Sequence, residues 1–170
     1  NRISHIRYIC LTNSHPMKNL FFRSFVFLLL LSSCNRAVVF KAYHKIDNMT
    51  WNRFEPIEFE VPVKEGDKLD FELALRHHTG FPYDKLFVNI TFYAPDGEMR
   101  SANYDFKLKD DEGNWLADGL GELWDIKLPN RQEMPFYENG MCTVRIENQY
   151  PKVETPGILE IGLIAKKSEE

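Results

Sequence analysis

The sequence predicts an all-β protein, an antiparallel β-sandwich of either jelly-roll or immunoglobulin-like topology. Short segments in which apolar and polar residues alternate recur between residues 57 and 161. Such alternation places one face of a strand in a core and the other in water. Turns rich in Pro, Asp and Gly separate the segments, and no stretch keeps a helical period over three turns. Several short strands joined in this way favour a sandwich.

The alternating segments can be placed individually. They are residues 57–61, 69–73, 86–92, 104–108, 124–128, 142–146 and 158–161. The Pro-Asp-Gly sequence at 95–97 predicts a turn after the third segment, and Asp-Glu-Gly at 111–113 predicts another after the fourth. Parity directs Trp124 and Cys142 towards the core. We therefore expect one domain, residues 51–167, around one hydrophobic core.

The N-terminal region predicts a signal peptide. The first methionine is Met17, and Lys18 and Arg23 give a positively charged beginning. The unbroken apolar run at 25–31 is much shorter than the roughly 20 residues that span a bilayer, but it suits the core of a signal peptide. We expect residues 1–16 to be an upstream extension that is not native to the protein.

The apolar run ends in a tetrapeptide that resembles the bacterial lipobox. It consists of Leu31, Ser32, Ser33 and Cys34. Cleavage before Cys34 would leave its sulfur acylated, and acyl chains bind a membrane with about 0.8 kcal/mol per buried CH₂. We expect residues 17–33 to be the signal peptide and 34–50 to be a lipidated tether. Asn35, where Asp would favour inner-membrane retention, favours the outer membrane.

Charge and cysteine usage restrict the classes of partner. Residues 1–33 carry four basic residues and no acid, so cleavage would change the formal net charge from −4 to −8. A negative chain gives no reason to expect nucleic-acid binding, because polyanions recruit basic surfaces. Of the three cysteines, Cys10 would be removed and Cys34 acylated, which leaves Cys142. We expect no internal disulfide, so packing must stabilise the domain.

No residue pattern predicts catalysis, a cofactor or a small-molecule substrate. Ser101 and Ser168 lie in no Gly-x-Ser-x-Gly sequence. His77 and His78 are adjacent, so a regular strand would direct them to opposite faces and away from a shared metal ion. The oxygen-rich loop at 110–114 lacks EF-hand spacing, and we expect it to be a solvated turn. The sequence therefore predicts neither an enzyme nor a metal site.

Two tryptophans beside turns leave two interpretations open. Trp51 and Trp115 are either anchors of the interior or part of an exposed platform on which sugar rings stack. Gly119 and Gly121 lie close to Trp115 and allow a close approach of backbone. We take these four residues as a candidate surface for a protein partner or a glycan.

The segment Asp-Glu-Gly-Asn-Trp-Leu-Ala-Asp-Gly-Leu-Gly-Glu-Leu at 111–123 resembles the signature of the GldH family, the gliding-motility lipoproteins of Bacteroidetes. Other segments agree in order along the chain. They are Thr50-Trp51-Asn52, residues 83–88 before the Pro-Asp-Gly turn, residues 136–140 before a strand, and residues 157–163. The chain departs from the signature at Ala117 and Asp118, where relatives tend to carry Gly and another residue, and at Glu122, which replaces Asp.

The resemblance implies a non-enzymatic envelope lipoprotein. It would be an assembly or scaffold component of the gliding and type IX secretion machinery, anchored through acylated Cys34 and in contact with envelope proteins. We expect it at the outer membrane, facing the periplasm. The alternative is a glycan-binding outer-membrane lipoprotein, which requires Trp51 or Trp115 to be exposed on a flat face.

Overall fold

A computed structural model describes residues 37–169, which form antiparallel strands and a single 3₁₀ turn. The strands are β1 (Val38–Lys45), β2 (Thr50–Asn52), β3 (Ile57–Val63), β4 (Lys68–His78), β5 (Lys85–Tyr93), β6 (Met99–Lys107), β7 (Asp118–Leu120), β8 (Leu123–Pro135), β9 (Gly140–Asn148), β10 (Glu154–Pro156) and β11 (Ile158–Lys167). The 3₁₀ turn is Asp47–Met49. The all-β prediction is confirmed. The predicted signal peptide, the lipobox and Cys34 lie outside the described residues.

The strand order is that of a jelly roll. One sheet has the order β1-β11-β4-β8-β7 and the other β3-β9-β5-β6, while β2 and β10 form a small ribbon. All paired strands are antiparallel. The chain passes from one sheet to the other at nearly every connection, with β5 and β6 as a hairpin within one sheet. Of the two predicted topologies, the structure has the jelly roll.

The core lies between the two sheets and is aromatic at its centre. The ring of Phe71 on β4 meets that of Phe92 on β5 edge to face, with centroids 4.9 Å apart. Phe40 and Phe59 make a similar contact at 6.5 Å between the neighbouring edges β1 and β3. Cys142 is fully buried among these side chains, and burial raises the pKa of its thiol to about 12. The prediction that the side chain of Cys142 points into the core is confirmed.

The predicted tether over 34–50 differs from the structure. Residues from Val38 onwards form β1, which pairs with β11 as far as Lys45. Only Phe40 and Ala42 of this strand are half-buried, and a bulge interrupts its pairing near Val38. The weak burial explains why the alternation was not evident from the sequence. The sandwich therefore begins thirteen residues before the predicted boundary at 51, at Val38.

Strand β8 continues well beyond the predicted segment at 124–128. Its first half alternates as predicted, with Trp124 and Ile126 half-buried and Leu128 buried on the core side. Its second half contains polar residues and two register shifts against β4. The carboxylate of Asp70 accepts a hydrogen bond of 2.8 Å from the N–H of Glu133, whose φ is +49°. Residues in a bulge do not alternate between apolar and polar, so the alternation in the sequence stopped at residue 128 although the strand continues to Pro135.

Candidate functional site

Residues 109–123, which we name the Gly/Trp segment, connect β6 to β8 and begin with a closed turn. The Asp110 carboxylate accepts hydrogen bonds from the N–H groups of Glu112 at 2.9 Å and Asn114 at 2.8 Å. The amide of Asn114 donates a further bond of 3.0 Å, which is the main reason that the pKa of Asp110 is lowered. Gly113 completes the predicted turn with a φ of +87°. The oxygen-rich loop is thus occupied by its own hydrogen bonds.

Trp115 anchors the Gly/Trp segment to the sandwich. Its half-buried ring lies 4.4 Å from the ring of His77 and 6.5 Å from those of Phe81 and Trp124. The ammonium group of Lys109 lies 4.3 Å from the ring centroid, a cation–π contact that restricts access to the ring. Trp115 therefore acts as a packing anchor, and its ring is not an open stacking platform.

The two glycines of the candidate surface have separate steric roles. A Cβ atom on Gly119 would lie 2.4 Å from Cε3 of Trp124, so only glycine fits beneath that indole. Gly121 has a φ of +66° in the first position of the two-residue loop between Leu120 and Leu123. This position of a two-residue hairpin loop requires a positive φ, which glycine adopts most readily. Residues 118–123 of the resulting hairpin are exposed to different degrees, with 39% of Leu123 and 90% of Leu120 accessible to solvent.

Of the two interpretations left open for Trp51, the structure supports the interior anchor, so Trp51 does not belong to the candidate surface. Its side chain is only 2% exposed, and its indole N–H donates a hydrogen bond of 2.9 Å to the Glu55 carbonyl. The buried amide of Asn148 also donates to the Trp51 carbonyl at 3.3 Å. Trp51 is a core anchor of the β2–β10 ribbon. Since Trp115 is covered by Lys109 and His77, the flat aromatic face required for the glycan interpretation is not formed by these two residues.

The Gly/Trp segment forms one wall of a groove, the outer groove, on the solvent face of the larger sheet. The groove encloses about 530 Å³. Its lining includes Tyr43, Ala74, Arg76, Leu116, Asp118, Asp125, Lys127 and Glu160. The groove is deep because the side chains at its base are small. Ala74 contributes only a methyl group, and the Tyr43 ring lies over Gly162, where a Cβ atom would be 2.4 Å from Cδ1 of Tyr43. The outer groove joins residues from five strands, β1, β4, β7, β8 and β11, and was not predicted from the sequence.

Arg76 organises the charges of the outer groove. Its Nε and Nη2 donate to Asp125 at 2.7 and 2.9 Å, and its Nη1 donates to Glu160 at 3.2 Å. These partners, Asp125 first, raise the pKa of Arg76. Asp118 lies directly opposite Asp125 in the β7–β8 pairing, and like charges in that position repel. Since Arg76 is already paired with Asp125 and Glu160, Asp118 is the groove carboxylate that has no ion pair within residues 37–169, and a cationic group would neutralise it.

The two adjacent histidines take opposite environments, as the sequence predicted. His77 is fully buried beneath Trp115, whereas His78 is partly exposed, with Nε2 3.3 Å from Glu122. Nδ1 of His77 donates to the His78 carbonyl at 3.0 Å, which leaves Nε2 without a partner in the described residues. Burial lowers the pKa of His77. Within residues 37–169 no three His, Cys, Asp or Glu side chains are grouped so as to hold a metal ion.

Comparison with known proteins gives matches that cover the described domain. The profile of the family described as GldH lipoprotein matches residues 38–164. A gliding motility lipoprotein GldH homolog of Christiangramia forsetii is 26% identical over 159 residues, which cover 87% of this chain and 97% of that protein. No solved structure matches significantly. The family match begins at the first residue of β1. The described residues contain no helix that is long and apolar enough to cross a membrane.

The contact between Gly119 and Trp124 gives a first prediction. The Gly119→Ala substitution should lower the free energy of unfolding by about 1–3 kcal/mol, because the added methyl group overlaps the indole. Urea denaturation measures the change, with Asp118→Ala as the exposed neighbouring control. In a Trp124→Leu background the same substitution should have a smaller effect. An equal loss in both backgrounds would refute the steric role.

Burial of His77 predicts a pH-dependent stability. Its pKa in the folded state is lowered from 6.5, so below that pH the unfolded chain binds the proton more readily. The resulting loss of stability is absent above about pH 7.5 and grows as pH falls from 6.5 towards the folded-state pKa. Lys109 and His78 oppose protonation electrostatically and Asp125 favours it.

Urea denaturation at pH 7.5 and pH 5.5 tests this expectation. The wild-type chain should lose more stability between the two pH values than His77→Leu, which cannot bind the proton. The exposed His44→Gln variant serves as the control and should retain the wild-type pH dependence. If wild type and His77→Leu respond equally to pH, His77 does not contribute to the loss.

Proposed function

Because the chain belongs to the GldH lipoprotein family, we propose that it is a lipid-anchored, non-enzymatic assembly component of the gliding and type IX secretion machinery. The observation that carries the proposal is the family match over residues 38–164, directly preceded by a lipobox that ends at Cys34. The matched region coincides with the jelly roll from its first strand. Anchor and folded domain are therefore adjacent in the chain.

The proposed anchor holds the sandwich close to the bilayer. Acylated Cys34 precedes β1 by four residues, a span of at most about 14 Å when fully extended. A protein confined in this way meets other envelope proteins at a raised effective concentration. With Asn35 after the acylated residue, we place the protein at the outer membrane, facing the periplasm.

The surface that we propose for partner binding is the outer groove with the adjoining hairpin of the Gly/Trp segment. Asp118 and Asp125 face each other at its edge, while Leu116 and Leu120 expose apolar surface nearby. The partner that fits is an envelope protein with a Lys or Arg side chain flanked by apolar residues. The net charge of −8 expected after cleavage favours the same kind of partner.

The environments of the reactive side chains support a non-enzymatic role. The Ser101 hydroxyl is engaged with Thr91 at 2.8 Å and with Asn89 at 3.1 Å. The thiol of Cys142 is buried and has a raised pKa, so it is not a nucleophile at neutral pH. His77 is sealed beneath Trp115. Each of these groups serves packing or hydrogen bonding within the sandwich.

The anchor is tested by replacing the acylated residue. Cys34→Ala should move the protein from the membrane fraction to the soluble fraction, because the acyl chains supply the membrane affinity. Cell fractionation followed by immunoblotting measures the distribution, and Cys142→Ala is the control that removes a cysteine unrelated to the anchor. Retention of Cys34→Ala in the membrane fraction with full function would contradict the proposal.

The binding surface is tested by reversing one charge. Asp118→Lys should reduce by about tenfold the envelope proteins recovered after in-cell crosslinking and mass spectrometry, because a Lys repels the cationic partner. Asp118 is exposed, so the variant should keep the wild-type melting temperature. Glu138→Lys, equally exposed but outside the outer groove, should leave recovery unchanged. Equal recovery with both variants, or recovery of polysaccharide alone, would contradict the proposed surface.

A further inference from the structure

The four strands at the edges of the two sheets differ in how well they are protected from pairing with other strands. In the larger sheet, β1 has a bulge and β7 has only three residues. In the smaller sheet, β3 contains Pro62. Bulges, short strands and proline are the usual means by which edges avoid further pairing. Strand β6 has none of these three features, and the charged side chains along it are Arg100, Asp105 and Lys107.

Strand β6 is a long and regular edge. It pairs with β5 over nine residues without a register shift. Among residues 37–169, β5 is its only partner strand, so the backbone groups on its other side pair with no strand. Ala102, Tyr104 and Phe106 point inward but stay half-buried, and the two aromatic rings stack at 5.2 Å. The sandwich leaves part of this apolar surface uncovered.

We propose that β6 pairs antiparallel with β6 of a second copy of this chain, about a twofold axis that passes beside Asn103. Asn103 is the central residue of the strand, so this register uses all nine residues of both copies. A twofold axis beside Ala102 or Tyr104 would leave the ends of the strand unpaired. The pairing would extend the four-stranded sheet across both molecules, as in other isologous dimers.

The side chains of β6 are complementary to themselves in this register. On the inward face, Arg100 lies opposite Phe106 and the small Ala102 lies opposite Tyr104. The Arg100 guanidinium is held beside its own strand by Glu98 at 2.7 and 2.6 Å, which prepares it for a cation–π contact with the Phe106 ring of the other copy.

The outward face of β6 is equally compatible with itself. Ser101 lies opposite Asp105, and Met99 lies opposite Lys107, so no like charges meet directly. The two Asn103 side chains face each other at the axis, where their amides can exchange hydrogen bonds. Asn103 is exposed, and its Oδ1 is already oriented by a bond of 2.8 Å from Asn89.

Site-directed disulfide formation tests the pairing in membranes that contain the full chain. Residues facing each other in an antiparallel pair have Cβ atoms about 4.5–5.5 Å apart, near the range of disulfides. After mild oxidation, Asn103→Cys should therefore give a reducible dimer. Asn89→Cys, on the same face but one strand farther from the axis, is the matched control and should remain monomeric. Absence of the Asn103→Cys dimer, equal dimer with Asn89→Cys, or a crosslink to a different protein would overturn the proposal.

The register is tested by a pair of cysteines. Ser101→Cys and Asp105→Cys, co-expressed on differently tagged copies, should crosslink to each other, while each variant alone gives several-fold less dimer. A parallel or shifted arrangement would reverse or abolish this preference and would overturn the assigned register.

Charge reversal tests the contact without a covalent bond. Asn103→Lys places two ammonium groups at the axis, and co-purification of two differently tagged copies should fall about tenfold. Co-expression of Asn103→Lys with Asn103→Asp should restore it, because opposite charges then meet. Equal melting temperatures of the variants would show that the fold is retained. Unchanged co-purification of Asn103→Lys, or no recovery with Asn103→Asp, would refute the dimer.

Discussion

The structure depends on the apolar contact between its two sheets. The ring of Phe71 contacts the ring of Phe92 across the interface and also lies close to the ring of Phe136. Cys142, the only cysteine in the described residues, is a buried free thiol and forms no disulfide. Packing must therefore supply the stability that small secreted domains often draw from disulfides. Each long strand gives one face to this interface. The opposite faces and the sheet edges are left available for other contacts, and the outer groove and β6 lie there.

The Gly/Trp segment shows how a sequence signature can be largely structural. Trp115 packs on His77, and Gly119 makes room for Trp124, so two of its most distinctive residues maintain packing. The side chains that reach the outer groove, Leu116 and Asp118, are less distinctive in sequence. The distinctive residues of the signature thus position the wall of the outer groove, while less distinctive neighbouring residues determine its charge and polarity. Arg76, from a different strand, determines how much of the negative charge remains uncompensated.

The parts that were predicted from sequence depend on local pattern. Alternation located parts of seven of the eleven strands described, β3, β4, β5, β6, β8, β9 and β11, and the inward side of Trp124, and glycine located the turns. The parts that were missed depend on distant residues. The burial of Trp51 follows from its ribbon partner β10 and from Asn148, almost one hundred residues away. The jelly-roll order and the outer groove likewise arise from pairing between β1, β4, β8 and β11, which no local period encodes.

The pairing of the first and last strands has a mechanical consequence. Val38 lies opposite Lys166, and the Lys167 N–H donates to the Ala37 carbonyl at 3.0 Å, so both ends of the domain leave at the same place. A pull between the N-terminal end of β1 and the C-terminal end of β11 would separate the β1–β11 pairing one hydrogen-bonded pair at a time. A pull between the N-terminal end of β1 and a load at the Asp118 hairpin would be shared by every strand pairing from β1 to β7. The domain is therefore far better suited to bear tension across its sheet than between its two ends.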